Sequence, residues 1–223
     1  MKAKFSVIIF LVLITLPGCA FIQKAQRADD LEIENANLRS LIAQLQKEKT
    51  KEVKQVYEQK ERELSELERA KKELEESLKK EIGEYKAKLQ MTERGLVITF
   101  VSEVFFDSGK DIIKSDGRLS LDKVAEVLNR DVPNSQVAVE GHTDNVPIKY
   151  SGWKSNWELS SARALAVVHY LINERRVKPQ RLSANGYGEY HPVASNDTPQ
   201  NKQKNRRVEI VILPSKLSKV KGN

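Results

Sequence analysis

The chain has 223 residues, 39% of them hydrophobic, and a formal net charge of +7. Its single cysteine excludes an intramolecular disulfide, and its lysines are interleaved with carboxylates, as on a solvated helix, with no nucleic-acid signature beside them. Nucleic acid is therefore not an expected partner. Apolar residues crowd the first 18 positions, are sparse and periodic from Asp29 to Thr92, and form short mixed runs from Leu96 to Leu213. Only that last stretch can bury a globular core, so one folded unit is expected.

Lys2 and Lys4 precede an apolar run from Val7 to Leu16, too short to span a bilayer and followed at once by Pro17 and Gly18. Residues 1–18 thus read as an export signal peptide. Leu16-Pro17-Gly18-Cys19 resembles the lipobox of bacterial lipoproteins, which implies that Cys19 becomes the lipid-modified first residue of the mature chain. Several acyl chains anchor firmly, each buried methylene adding about 0.8 kcal/mol. Ala20 follows the cysteine where an Asp signals inner-membrane retention in such lipoproteins, so the outer membrane, facing the periplasm, is the expected location. Residues 19–28 are assigned to the anchor and a linker.

From Asp29 to Thr92 there is no proline and one glycine, Gly83, amid Glu, Lys, Leu and Gln, so residues 29–93 are expected to form a helical coiled-coil rod. Leu31, Ile42, Val53 and Leu64 recur every eleven residues, as do Leu45, Val56, Leu67, Leu78 and Leu89. An eleven-residue repeat gives about 3.67 residues per turn and a nearly straight or gently right-handed supercoil. Lys49, Lys60 and Lys71 interrupt the third seam position, leaving two readings: a lone helix held by Glu–Lys pairs, or a parallel homo-oligomer, which the exposed leucine row favours. Either reaches roughly 95 Å at 1.5 Å per residue and spaces a domain from a membrane.

Residues 94–214 are expected to form the folded domain, with 215–223 a basic disordered tail. Leu96 to Phe106 reads as a strand ending at the turn Asp107-Ser108-Gly109, and Asp116 to Arg130 as a helix burying Leu121, Val124, Ala125 and Leu128. Gln136 to Thr143 is a second strand, and a long loop follows. Ser155-Asn156-Trp157-Glu158 has capping-box spacing and opens a second helix with Ala164, Val167, Val168 and Leu171 inward. Strands at Arg181 to Tyr187 and Arg207 to Leu213 complete β-α-β-α-β-β, a two-layer α/β (α+β) sandwich with its helices on one face.

GHTD from Gly141, NWELSSARA from Asn156, YGE from Tyr187 and NRRVEIVI from Asn205 resemble, in order and spacing, the OmpA-like peptidoglycan-binding domain. SNWELS and the long loop before it look most like the MotB branch. The resemblance implies non-covalent binding of peptidoglycan at the zwitterionic end of diaminopimelate in the stem peptide. Such a ligand calls for a carboxylate facing its ammonium and a cationic fork facing its carboxylate, a task suited to arginine. Asp144 and Arg163 match the family's pair, and Asn156 matches its helix-start asparagine, with helix capping as the competing role. Thr143 is expected to offer its backbone. Arg206 matches a residue lining the site, and Phe106 and Asp107 complete the candidate set, against plainer roles as core aromatic and turn carboxylate.

Glu140, His142 and Asp144 alternate along a strand and are a conceivable metal cluster, but His169 and His191 lack ligand spacing and no nucleophile–base set is evident. No metal, cofactor or enzymatic activity is expected. Two alternatives to a wall-tethering lipoprotein stand: a MotB-like motor stator, which needs a true transmembrane helix carrying an ionisable residue, and an interaction or adhesion stalk anchored by the domain.

Overall fold

A computed structural model describes residues 3–149 and 151–214, with side chains from Phe21 onward. The lipidation at Cys19 and the basic tail at 215–223 lie outside the described side chains and residues respectively. The chain divides into two units, Met1–Glu58 and Gln59–Asn223. Helix α1 (Ala3–Ser77) supplies the described part of the first and opens the second. It runs without a break through 19–28, the expected linker, where Gln23, Lys24, Ala25 and Gln26 are good helix formers free of proline and glycine. In the first unit the seam residues Leu31, Leu38, Ile42, Leu45 and Val53 are exposed. Among the described residues, no helix is long and apolar enough to cross a membrane.

The expected rod to residue 93 is too long. After α1 come the short α2 (Lys79–Gly83) and then strand β1 (Ala87–Thr92). Gly83 and the left-handed backbone of Tyr85 (φ 56°) turn the chain between them. The last turns of α1 are part of the core: Leu67, Ala70, Leu74 and Leu78 are buried against the domain's own apolar residues. The 3-4-4 spacing of these four residues is one helical face, and it lies on a sheet-and-helix core instead of on a second helix.

Strands β1, β2 (Gly95–Val101), β3 (Val137–His142), β4 (Leu182–Gly186) and β5 (Arg207–Ile212) form one sheet in the order β1-β2-β5-β3-β4. Only β3 and β4 pair in parallel. Their crossover is helix α5 (Asn156–Asn173), as a parallel connection requires. Helix α4 (Ser115–Arg130) and α5 pack on one face of the sheet against Leu96, Ile98, Phe100, Val139, Val208, Ile210 and Ile212. The expected first strand ends early, because Ser102–Phe105 form a helical turn, α3, that carries the chain off the sheet. Helix α6 (Pro199–Asn205) precedes β5, with Thr198 accepting a hydrogen bond from the Asn201 amide and proline at the first helical position.

Helix α5 lies so close to β3 that a Cβ on Gly141 would stand 2.1 Å from the Ser160 carbonyl oxygen. Gly141→Ala must push the helix away, and destabilisation of about 3 kcal/mol is expected, the upper end of ordinary overpacking. Gly152, which has open space around it, is the control: its alanine variant should stay within about 0.5 kcal/mol of wild type in urea unfolding. Equal midpoints for the two variants would contradict the close packing.

Candidate functional site

Where β3 ends, the chain enters the loop of Thr143 to Lys154, and α5 begins on the far side of it. Ser155 caps the helix, its hydroxyl accepting from the Glu158 amide, while the Glu158 carboxylate accepts from the amide of Lys154. Asn156 is therefore not the cap. Its Nδ2 donates to the Val146 carbonyl at 3.1 Å and to Glu189 Oε2 at 2.6 Å, and so staples the loop to the start of the helix.

This junction forms one wall of a cleft of about 540 Å³, and α3 with the turn after it forms the other. All seven expected residues, Phe106, Asp107, Thr143, Asp144, Asn156, Arg163 and Arg206, line it. Asp144 and Arg163, the expected charge pair, thus share one cavity.

Arg163 projects from the buried face of α5 and is only 5% exposed. Its Nε donates to the Lys110 carbonyl at 2.9 Å and its Nη2 to that of Asp107 at 3.1 Å, with the guanidinium carbon 5.1 Å from the centre of the Phe106 ring. Asp107 therefore serves the site through its backbone, while its carboxylate turns outward to Lys110 and Lys114. Two of the five guanidinium N–H groups are spent on holding the turn, and the other three make no hydrogen bond among the described residues. Burial, with the Arg206 charge adding to it, lowers the Arg163 pKa. The cation is thus held in a site that favours an incoming anion.

Arg206 does more than open a strand. It bridges two carboxylates, Nη1 to Asp144 Oδ2 at 2.7 Å and Nη2 to Glu103 Oε1 at 2.7 Å. Burial opposes its charge, but the hydrogen bonds to Asp144 and Glu103 outweigh burial and raise its pKa. Asp144 Oδ1 accepts from the Val146 amide. The Thr143 amide donates to the Gly188 carbonyl at 2.9 Å, so the backbone group it has to offer is its carbonyl, and its buried hydroxyl oxygen has no partner among the described residues.

Glu103 and Ser102 were not anticipated, because a strand running to Phe106 hides the turn that brings them to the cleft. The available signal was the Phe105-Phe106 pair: both are buried, which strict alternation on a one-sided strand does not deliver.

Glu140 and His142 do not share a side with Asp144, which lies beyond the strand in the cleft. They face the other side of the sheet, where Glu140, His142 and Glu209 bring ligand atoms within 4.8 Å of one another. Arg94 pairs with Glu140 and Arg207 with Glu209, so both carboxylates already have fixed cations. His142 stacks on Tyr187 and is held neutral, its pKa pushed down to about 3 by burial and by the charges of Arg207, His191 and Arg94.

The sheet carries two helices on one face and a charge-lined cleft at the β3–α5 junction, and residues 105–206 match the OmpA family model. Those residues belong to that family. Motility protein B of Bacillus subtilis (strain 168) is 42% identical over 149 residues, covering 67% of this chain and 57% of that protein. A MotB-like protein from Desulfovibrio vulgaris superposes with a TM-score of 0.63 at 25% identity, covering 70% of this chain and 98% of that one. The cell wall anchor of the T6SS from Pseudomonas aeruginosa gives a TM-score of 0.58 at 30% identity, covering 63% and 96%. The chain spans about half the length of the curated relatives it matches, 57%, 55% and 48% of the first three.

Proposed function

We propose that this chain is an outer-membrane lipoprotein that grips peptidoglycan without chemistry, clasping the zwitterionic end of diaminopimelate in the cleft of Asp144 and Arg163. The observation that carries the reading is the shared cavity. Glu103 and Asp144 stand around it with Arg163 and Arg206, Asp144 and Arg163 being buried, so a ligand bearing one charge of each sign meets a group of opposite charge at both ends. Hydrogen bonds to charged groups contribute about 1.5 to 3 kcal/mol each, enough for a reversible grip. The lipobox-like LPGC at 16–19 supports attachment to the membrane through Cys19, and the helical segment between that cysteine and the folded unit supplies reach. The exposed leucine row at 31–53 is where a second copy would pack. The full chain is expected to pellet with diaminopimelate-type peptidoglycan and to stay in the supernatant without it.

The likeness to Motility protein B favours a second reading, in which the same domain ties a motor component to the wall. Mass spectrometry of the mature N-terminus separates the two. The tethering reading predicts a lipid-modified Cys19 as first residue. An unprocessed Met1 with an unmodified cysteine supports the motor reading.

A further inference from the structure

Six buried side-chain oxygen and nitrogen atoms lack a hydrogen-bond partner among the described residues, and they fall into two groups. Glu140 Oε2 and the two His142 ring nitrogens lie on the sheet face away from the cleft. The other three, Ser102 Oγ, Glu103 Oε2 and Thr143 Oγ1, all belong to residues that line the cleft. Ser102 is 3% and Thr143 4% exposed, so these hydroxyls are out of bulk water. A buried polar atom without a partner costs free energy, and three on residues that line one cavity are unusual in a native fold.

The three atoms have a common chemistry. Each can accept a hydrogen bond, and one belongs to a carboxylate. Glu103 spends Oε1 on Arg206, which fixes the side chain and leaves Oε2 uncommitted. Ser102 is tied to the same place through its amide, which donates to the Arg206 carbonyl at 2.9 Å. An alkylammonium carries three N–H donors and one positive charge, a match in number and sign for two hydroxyls and a carboxylate oxygen.

We propose that Ser102, Glu103 and Thr143 form the seat of the ligand's ammonium group, with Asp144 beside them as a second anion, and that Glu103 determines specificity for a free over an acylated amine. The inference rests on the reading of the cleft as a stem-peptide site. Glu103 comes from α3, the turn that interrupts the expected strand, so the seat is built from both walls of the cleft. An acylated amine has no charge and one N–H at most, and cannot serve both hydroxyls and Glu103 Oε2.

The test is calorimetric titration of the full chain with two probes, a stem peptide ending in diaminopimelate with its free amine and the same peptide N-acetylated at that amine. Wild type should bind the free peptide at least ten-fold more tightly. Glu103→Gln keeps the shape and removes the charge, and should lose at least ten-fold on the free peptide with little change on the acetylated one. Ser102→Ala, which leaves the Arg206 bridge intact, should lose a few-fold on the free peptide only. If Glu103→Gln binds the free peptide as tightly as wild type, solvent fills the seat and the inference fails while the site reading stands. Equal losses on both peptides would mean that Glu103 acts only by holding Arg206, and would also overturn it. If wild type binds neither peptide, the reading of the cleft falls and the seat falls with it.

Discussion

A fragment that begins at Thr92, where the sequence pattern passes from helix to strand, is expected not to fold. It lacks Leu67, Ala70, Leu74 and Leu78, all buried in the domain core, together with Ala87 and the whole β1 ladder on β2. Losing a buried leucine side chain costs about 2 to 5 kcal/mol, and three go at once. A domain of this size has about 5 to 15 kcal/mol of net stability in total. The fragment also leaves β2 as a bare edge, with Val97, Ile98 and Phe100 in an open strand prone to pairing between chains. Urea unfolding followed by circular dichroism should show no cooperative transition, while a fragment beginning at Gln59, the start of the compact unit, should unfold in one step. A cooperative transition in the shorter fragment with a similar midpoint would show that the end of α1 is not part of the core.

That boundary was the part of the fold least visible in the sequence. Leu67, Leu78 and Leu89 continue the eleven-residue repeat of the rod without a break, and local periodicity cannot tell a seam between two helices from a face laid on a sheet. The residues of β1, AKLQMT, carry little strand propensity, and their pairing with β2 is a tertiary event. Helix α6 was open to reading, since Thr198-Pro199 is an N-cap followed by proline at the first helical position. The main helices and the β3 and β5 strands were legible because each carries its own period: Leu121, Val124 and Leu128 along α4, and Val208, Ile210 and Ile212 in alternation.

The cleft was legible in a different way. The seven residues came from motif resemblance, and the structure brings all seven to one cavity, but their expected jobs changed once hydrogen bonds were visible. Asn156 staples where it was weighed as a cap, the Thr143 amide is already spent on the Gly188 carbonyl, and Arg206 bridges two acids. Spacing in the sequence identifies which residues meet. It does not say which of their donors and acceptors are already taken.

Arg163 carries the central claim, because it is the buried cation whose remaining donors face the cavity. Arg163→Ala removes the fork and also two hydrogen bonds that hold the turn at Asp107 and Lys110, so it should lower stability by about 3 kcal/mol and abolish binding together. Arg163→Lys keeps the charge but not the planar fork, and should retain more stability while losing most of the binding. Asp144→Asn keeps the shape and the bond from the Val146 amide while removing the anion. The measurement is co-sedimentation of the full chain and these variants with diaminopimelate-type peptidoglycan, each variant first shown to be folded by its thermal transition. The account predicts that wild type pellets and that folded Arg163→Lys and Asp144→Asn remain in the supernatant at the same wall concentration. Pelleting of both folded variants to the wild-type extent would contradict it.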